Sequence, residues 1–429
     1  MAHESEPASI GDFFELQRGT TYKSKLKGQP GPVLLGLGSI QRNGGFRHDK
    51  LTTYGGDSPE KLLVRPGELF VSLKDVTQAA DLLGSVAMVS PQVSVGRLTQ
   101  DTVKLIPKSD DVPLSYLYWV LRAPQTRALC RSRATGTTNL GLARGDFLSI
   151  PVPPLTEERQ LLISLIEGLD DKIELNRQMN QTLEALAQAL FQSWFIDFDG
   201  VPPEELVESE LGLIPRGWEV AELQDLIGLD KGLSYKSKNF DPDGIPMVNL
   251  KCIARGGGFQ HSGIKCYSGE YKPKHVVHPG DIVVAMTDLT QDRVVLASPA
   301  LIPRLPGASE IIISLDLSCP RIPSESRLTK PWLYYRLNTR EFKEFARGFA
   351  NGTTVMHLKL DGIKRYRFAL PPSERIESFS EIASDVRKRI DCNTIGNDSL
   401  TDLRDTLLPK LISGEIRVPE AETQVEAVL

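Results

Sequence analysis

Two short segments of this chain carry cations, a phenol ring and a hydroxyl in the same order. Arg18, Gly19, Tyr22, Lys23, Ser24 and Lys25 return 213 residues later as Lys231, Gly232, Tyr235, Lys236, Ser237 and Lys238. Cationic side chains suit phosphate oxygens, and a tyrosine ring can lie on a sugar or a base. A solvated turn around a packed tyrosine is the alternative. A second pair keeps the same offset: Lys74, Asp75, Thr77 and Gln78 with Thr287, Asp288, Thr290 and Gln291. Gln reads adenine through two hydrogen bonds and Thr suits a thymine methyl or a phosphate, whereas each Asp is placed to cap a local turn. A third pair, at an offset of 216, matches Gly136, Thr137, Thr138 and Asn139 with Gly352, Thr353, Thr354 and Val355. Here Gly permits a tight turn and the hydroxyls can donate to phosphates or base edges, or the segment is a turn and no more.

A repeat of this length is a whole duplicated domain, since solenoid units run to a few tens of residues. Two copies of one surface on one chain fit a target of approximate two-fold symmetry, such as duplex DNA. The elements that must carry these residues are short β-like runs broken by Gly and Pro, among them Val33–Leu35, Glu68–Val71, Val103–Ile106 and, in the second copy, Met247–Leu250, Asp281–Val284 and Ile311–Leu315. Each copy then turns helical, over Ser115–Ala128 and Pro331–Phe349. Each is therefore α+β.

A Pro-containing segment closes each copy, and a long amphipathic stretch follows. Over residues 156–196, Leu162, Ile166, Leu169, Ile173, Leu183, Leu186 and Leu190 recur at helical spacing, with Trp194 and Phe195 at the end. Over 374–412 the counterparts are Phe379, Ile382, Val386, Ile390, Leu400, Leu403 and Leu407. This pattern predicts two long helices with a coiled-coil-like seam. Some 40 helical residues make a rod of roughly 60 Å, and the expected arrangement is an antiparallel pair holding the two copies apart. Asn176 and Asn180 interrupt the first seam where Asn393 and Asn397 interrupt the second, and inward Asn fixes register at some cost in stability. The expected divisions are 1–152, 153–200, 201–372 and 373–429.

Net charge is −5, but it is unevenly spread: residues 1–152 carry +4 and 213–372 carry +6, while 153–212 carry −10 and 373–429 carry −5. The basic residues thus lie in the globular copies and the acid in the helical stretches. The five cysteines are scattered with no CxxC, which fits a reducing compartment and a cytoplasmic protein. No apolar run reaches membrane-spanning length, and the first residues show no signal peptide. The chain has no GxxxxGK[ST] phosphate loop, no [ND]PP[YF] segment, no HExxH and no GxSxG. Cys252, His261, Cys266 and His275 lack zinc-finger spacing, so no metal site is expected.

Three segments carry a family likeness: Gln192–Phe198 (QSWFIDF), Ile214–Val220 (IPRGWEV) and Leu403–Ile416 (LRDTLLPKLISGEI), together with the Gly-Thr-Thr turns that run on into Pro154 and Pro372. With these, the chain resembles the specificity (S) subunit of type I restriction–modification systems along its whole length. The resemblance implies two target-recognition domains, each reading one half of a bipartite site in double-stranded DNA, with long helices between them in pseudo-two-fold symmetry. It implies two modification (methyltransferase) subunits docked on the helices, binding S-adenosylmethionine and methylating adenine. Restriction (motor-nuclease) subunits using ATP and Mg²⁺ would add cleavage. The chain itself would hold no cofactor and catalyse nothing. Residues 1–10 lack the Pro-x-Gly-Trp segment that opens the second copy. A scaffold that binds methyltransferase subunits without reading DNA, and a standalone duplicated DNA-modifying enzyme, are the alternatives.

Overall fold

The computed structural model describes residues 8–48, 51–137, 139–289, 293–352 and 355–428. Its internal contacts form two compact units: Met1–Leu175 with Gly396–Leu429, and Asn176–Ile395. The units do not follow the sequence repeat, because each takes one portion of both long helices.

In the first unit a four-stranded antiparallel sheet runs in the order Phe14–Arg18, Thr102–Pro107, Leu69–Ser72, Val86–Met88. In the second, Gly228–Lys231, Leu317–Arg321, Ile282–Ala285 and Pro299–Leu301 stand in the same order and sense. Identical strand order in both copies is what a duplicated domain predicts. A second sheet accompanies each, three-stranded in the first unit and four-stranded in the second, and each contains one parallel pair: Val33–Leu35 beside Gly96–Leu98, and Phe240–Val248 beside Ile311–Ile313. The second unit adds a hairpin, Leu206–Ser209 with Gly212–Pro215, for which the first has no counterpart among the described residues.

Each expected globular helix is in fact two. Leu114–Arg122 stops at Ala123, whose extended backbone precedes Pro124, and Pro124–Ser132 begins anew. Proline excludes the preceding residue from helical geometry. Lys330–Asn338 stops at Thr339, whose hydroxyl accepts from the Phe342 amide at 3.3 Å and so caps Arg340–Arg347.

The long helices span Glu157–Phe195 and Ser373–Ser413. Within each unit their portions run antiparallel. In the first unit Arg404 pairs with Asp170 at 2.5 Å and Arg417 with Glu158 at 2.5 Å. In the second, Phe191 lies 5.2 Å from Phe379 and the Arg375 guanidinium 4.0 Å over the Trp194 ring. Leu162, Ile166, Leu169, Ile173, Leu400 and Leu407 share one core with Trp119 and Phe147. Phe191, Phe195, Trp332, Phe368 and Phe379 centre the other, and each such ring contributes about 1.5–3 kcal/mol by its burial. Ile390 is also buried, while Leu183, Val386 and Leu403 are part-buried.

The seam departs from expectation at two residues. Leu186 is 61% exposed and Ile382 41% exposed. Ala187, Phe191 and Phe195 point inward instead, in steps of four, and Ala383 replaces Ile382 beside Phe379. The asparagines do lie inward. Asn176, Asn393 and Asn397 are buried, and Asn397 Nδ2 donates to the Ile173 carbonyl at 3.3 Å.

Candidate nucleic-acid interface

The cationic loop has the same local form in both units. Lys23 precedes a 3₁₀ turn at Ser24–Leu26, and Lys236 one at Ser237–Asn239. Before each turn the chain passes a glycine against a neighbouring strand. A Cβ on Gly19 would stand 1.9 Å from the Thr99 carbonyl oxygen, and one on Gly232 2.1 Å from that of Ser314. Only glycine permits that approach. Arg18, Lys23, Lys25, Lys231, Lys236 and Lys238 are exposed, and no side chain among the described residues pairs with their charges. The tyrosines are less free. Tyr22 is part-buried, edge-on to Tyr54 at 6.0 Å, with Lys27 at 4.8 Å from its ring centre. Tyr235 packs on Phe240 at 5.1 Å and against a small core of Met247, Tyr267 and Ile312.

The second and third motifs meet in space. Lys74–Asp75 pairs antiparallel with Leu140–Gly141, and Thr287–Asp288 with Met356–Leu358. Asp75 is buried and holds the loop after it: Oδ1 accepts from the Thr77 amide at 2.8 Å and its hydroxyl at 2.9 Å, and Oδ2 from the Leu82 amide at 2.7 Å. Asp288 does the same for Val295 at 2.8 Å and Leu296 at 3.2 Å. Both Asp residues are therefore turn anchors. Thr77 and Gln78 are exposed, and Gln78 Nε2 reaches the Thr137 carbonyl at 3.3 Å, tying one motif to the other. Thr137 and Asn139 are exposed on a loop clamped by reciprocal 2.8 Å bonds between Thr135 and Gly141. Gly136 has φ +104° and Gly352 φ +124°, a backbone region that β-carbon-bearing residues rarely adopt.

Thr287 requires correction. It is buried and donates to Asp316 Oδ1 at 3.0 Å, so its hydroxyl serves the protein. Its counterpart Lys74 is exposed and pairs with Asp101 at 3.1 Å. Thr138, Thr290, Gln291, Thr353 and Thr354 lie outside the described residues.

Residues without a repeated motif complete the site. Arg127 is buried on Pro124–Ser132 and donates to the carbonyls of Leu83 and, at 2.9 Å, Asp81, fastening the loop beyond Gln78. Burial lowers its guanidinium to about 10. In the second unit Lys343, at the matching position, holds a different loop through Gly256 O and also bonds Asn338 Oδ1, both at 2.6 Å, while Arg347 donates to the Val294 carbonyl at 3.4 Å. Arg144 stands beside Arg18 and Lys74. The sequence offered no signal for it, because residue 360, its counterpart, is a leucine. No cluster of acids, cysteines and histidines capable of holding a metal occurs among the described residues. What the surface can do chemically is bind: it offers cations, amides and hydroxyls on anchored loops.

The fold is that of a solved type I restriction–modification S subunit from M. genitalium, matched with a TM-score of 0.51 at 14% identity over 96% of this chain and 98% of that one. Residues 3–185 match the family described as the type I restriction modification DNA specificity domain. The type I restriction enzyme MjaIX specificity subunit of Methanocaldococcus jannaschii is 28% identical over 323 residues, 74% of this chain and 72% of that protein. The HindI specificity subunit of Haemophilus influenzae is 25% identical over 376 residues, 72% of this chain and 79% of that protein. The chain is similar to the specificity subunits of type I restriction–modification systems, over residues 3–185 by the family match and over about three quarters of its length by these relatives.

Proposed function

We propose that this chain reads a bipartite site in double-stranded DNA, with residues 1–152 and 201–372 as target-recognition domains for one half each. The supporting observation is that both units carry, on sheets of the same strand order, a glycine-backed 3₁₀ turn bearing lysines and a buried aspartate that anchors the chain after it. Shared cations grip phosphates, and differing residues such as Asn139 and Val355 read different bases. The long helices space the halves and dock two methyltransferase subunits, which bring S-adenosylmethionine to adenine. Restriction subunits bring ATP and Mg²⁺. The chain supplies the address and no catalytic group, and it works in the cytoplasm, where its partners and DNA are.

Sequencing methylated adenines in cells that express the chain with its methyltransferase partner tests this. A split motif is expected, and substitutions at Gln78 and Asn139 should alter one half alone. Equal degradation of both halves would refute the two-reader arrangement.

A further inference from the structure

One concavity in the first unit is not accounted for by base reading. Arg18, Lys74 and Arg144 line a cavity of about 350 Å³ together with Gln100, Asp101 and Thr135. Neither the Arg18 nor the Arg144 guanidinium has an ion-pair or hydrogen-bond partner among the described residues. Lys74 is held by Asp101 at 3.1 Å, so that pair is neutral and two positive charges remain. The second unit does not repeat this. Its corresponding positions hold Lys231, Thr287, Leu315, Asp316 and Leu360, one cation against one acid. Leu315 is 49% exposed there.

We propose that this cavity receives a backbone phosphate of the DNA, and that the second unit lacks such a site. The inference rests on the duplex-reading function above. Phosphates stand out from a duplex and fit a concave cationic seat, whereas base edges lie in the groove floor and are met by protruding side chains. Arg18 and Arg144 offer forked N–H donors suited to phosphate oxygens. Lys74 acts by cancelling Asp101, whose carboxylate would otherwise repel the phosphate. The two units therefore hold DNA unequally: at this position the first carries two uncompensated cations and the second none.

The test uses the full chain in complex with its methyltransferase subunits. Two duplexes of equal length are titrated across a salt series, one carrying the methylated site and one a scrambled sequence. Arg18→Gln and Arg144→Gln should each lower the salt slope of binding by about one on both duplexes. Asp101→Asn should tighten binding, Lys74→Met should weaken it more than either arginine change, and Lys74→Met with Asp101→Asn should recover most of the loss. Melting curves confirm that each variant folds. Unchanged slopes, a loss confined to the site-bearing duplex, or weaker binding by Asp101→Asn would overturn the phosphate assignment while leaving duplex reading intact. A wild-type complex with no preference for the site-bearing duplex would overturn duplex reading itself, and this inference with it.

Discussion

Asn393 Nδ2 donates to Asn180 Oδ1 at 2.7 Å, joining the two long helices through a polar pair inside the second unit. Asn180 in turn donates to the Ile390 carbonyl and the Thr394 hydroxyl, each at 3.4 Å. Replacing one partner strands the other. Asn393→Leu should therefore destabilise the chain by about 1–3 kcal/mol, read as a lower urea midpoint. Asn180→Leu with Asn393→Leu should recover most of that, since two apolar groups in a seam are well tolerated. The double variant should also show mixed helix pairing or oligomers by light scattering, because the polar pair no longer selects one register.

Asp75 gives a second expectation. Asp75→Ala removes the acceptor for the Thr77 and Leu82 amides and should cost about 1–3 kcal/mol. Hydrogen exchange at those two amides should accelerate well before that of the central sheet. Asp288→Ala should do the same at Val295 and Leu296.

Lys343 makes the second unit sensitive to alkaline pH. Burial, helped by the neighbouring Arg347, pushes its ammonium down to about 8. An unfolded lysine titrates near 10.4. Between about 8 and about 10.4 the unfolded chain binds more protons than the folded one, so this residue's contribution to stability rises with pH across that window. Below it both states are charged and the contribution is constant. Lys343→Met should flatten the difference, measured as thermal midpoints from neutral to alkaline pH for the two proteins side by side.

Leu186 leaves its side chain in solvent on a helix proposed to carry partner subunits. Leu186→Glu should leave the melting temperature of the isolated chain nearly unchanged, because no packing is lost. It should weaken capture of the methyltransferase subunit about tenfold or more, as loss of an apolar anchor does at protein interfaces. Titration of the purified subunits by calorimetry gives the comparison.

Much of the framework is legible from residue order. The runs at Val33, Leu69, Val103 and Ile282 became strands because β-branched and aliphatic residues alternate between Gly and Pro there. The duplication was legible because glycines at sites of close backbone approach, Gly19 with Gly232 and Gly136 with Gly352, admit no substitute. Three things were not legible. Thr287 matched Lys74 by offset, yet its burial is decided by Asp316, 29 residues away. Leu186 and Ala187 both satisfy helical spacing, and only the bulk of Phe191 and Phe195 settles which faces the core. Arg127 and Arg144 act through loops distant in sequence, and the second copy replaces them with Lys343 and Leu360, so comparison of the copies passes over both.

The division of the long helices between units has a consequence for how the protein is made. Leu400, Leu407, Leu408, Leu411, Ile412 and Ile416 lie in the same core as Phe14, Trp119 and Ile166. While the ribosome is still translating the second copy, residues 157–173 can pack on the first copy's own side chains, but the part of their apolar side that Leu400–Ile416 covers stays open. The unit begun first is therefore finished last, with its exposed face held open through some 230 codons of intervening synthesis. The second unit, whose chain is continuous from Asn176 to Ile395, can close before it.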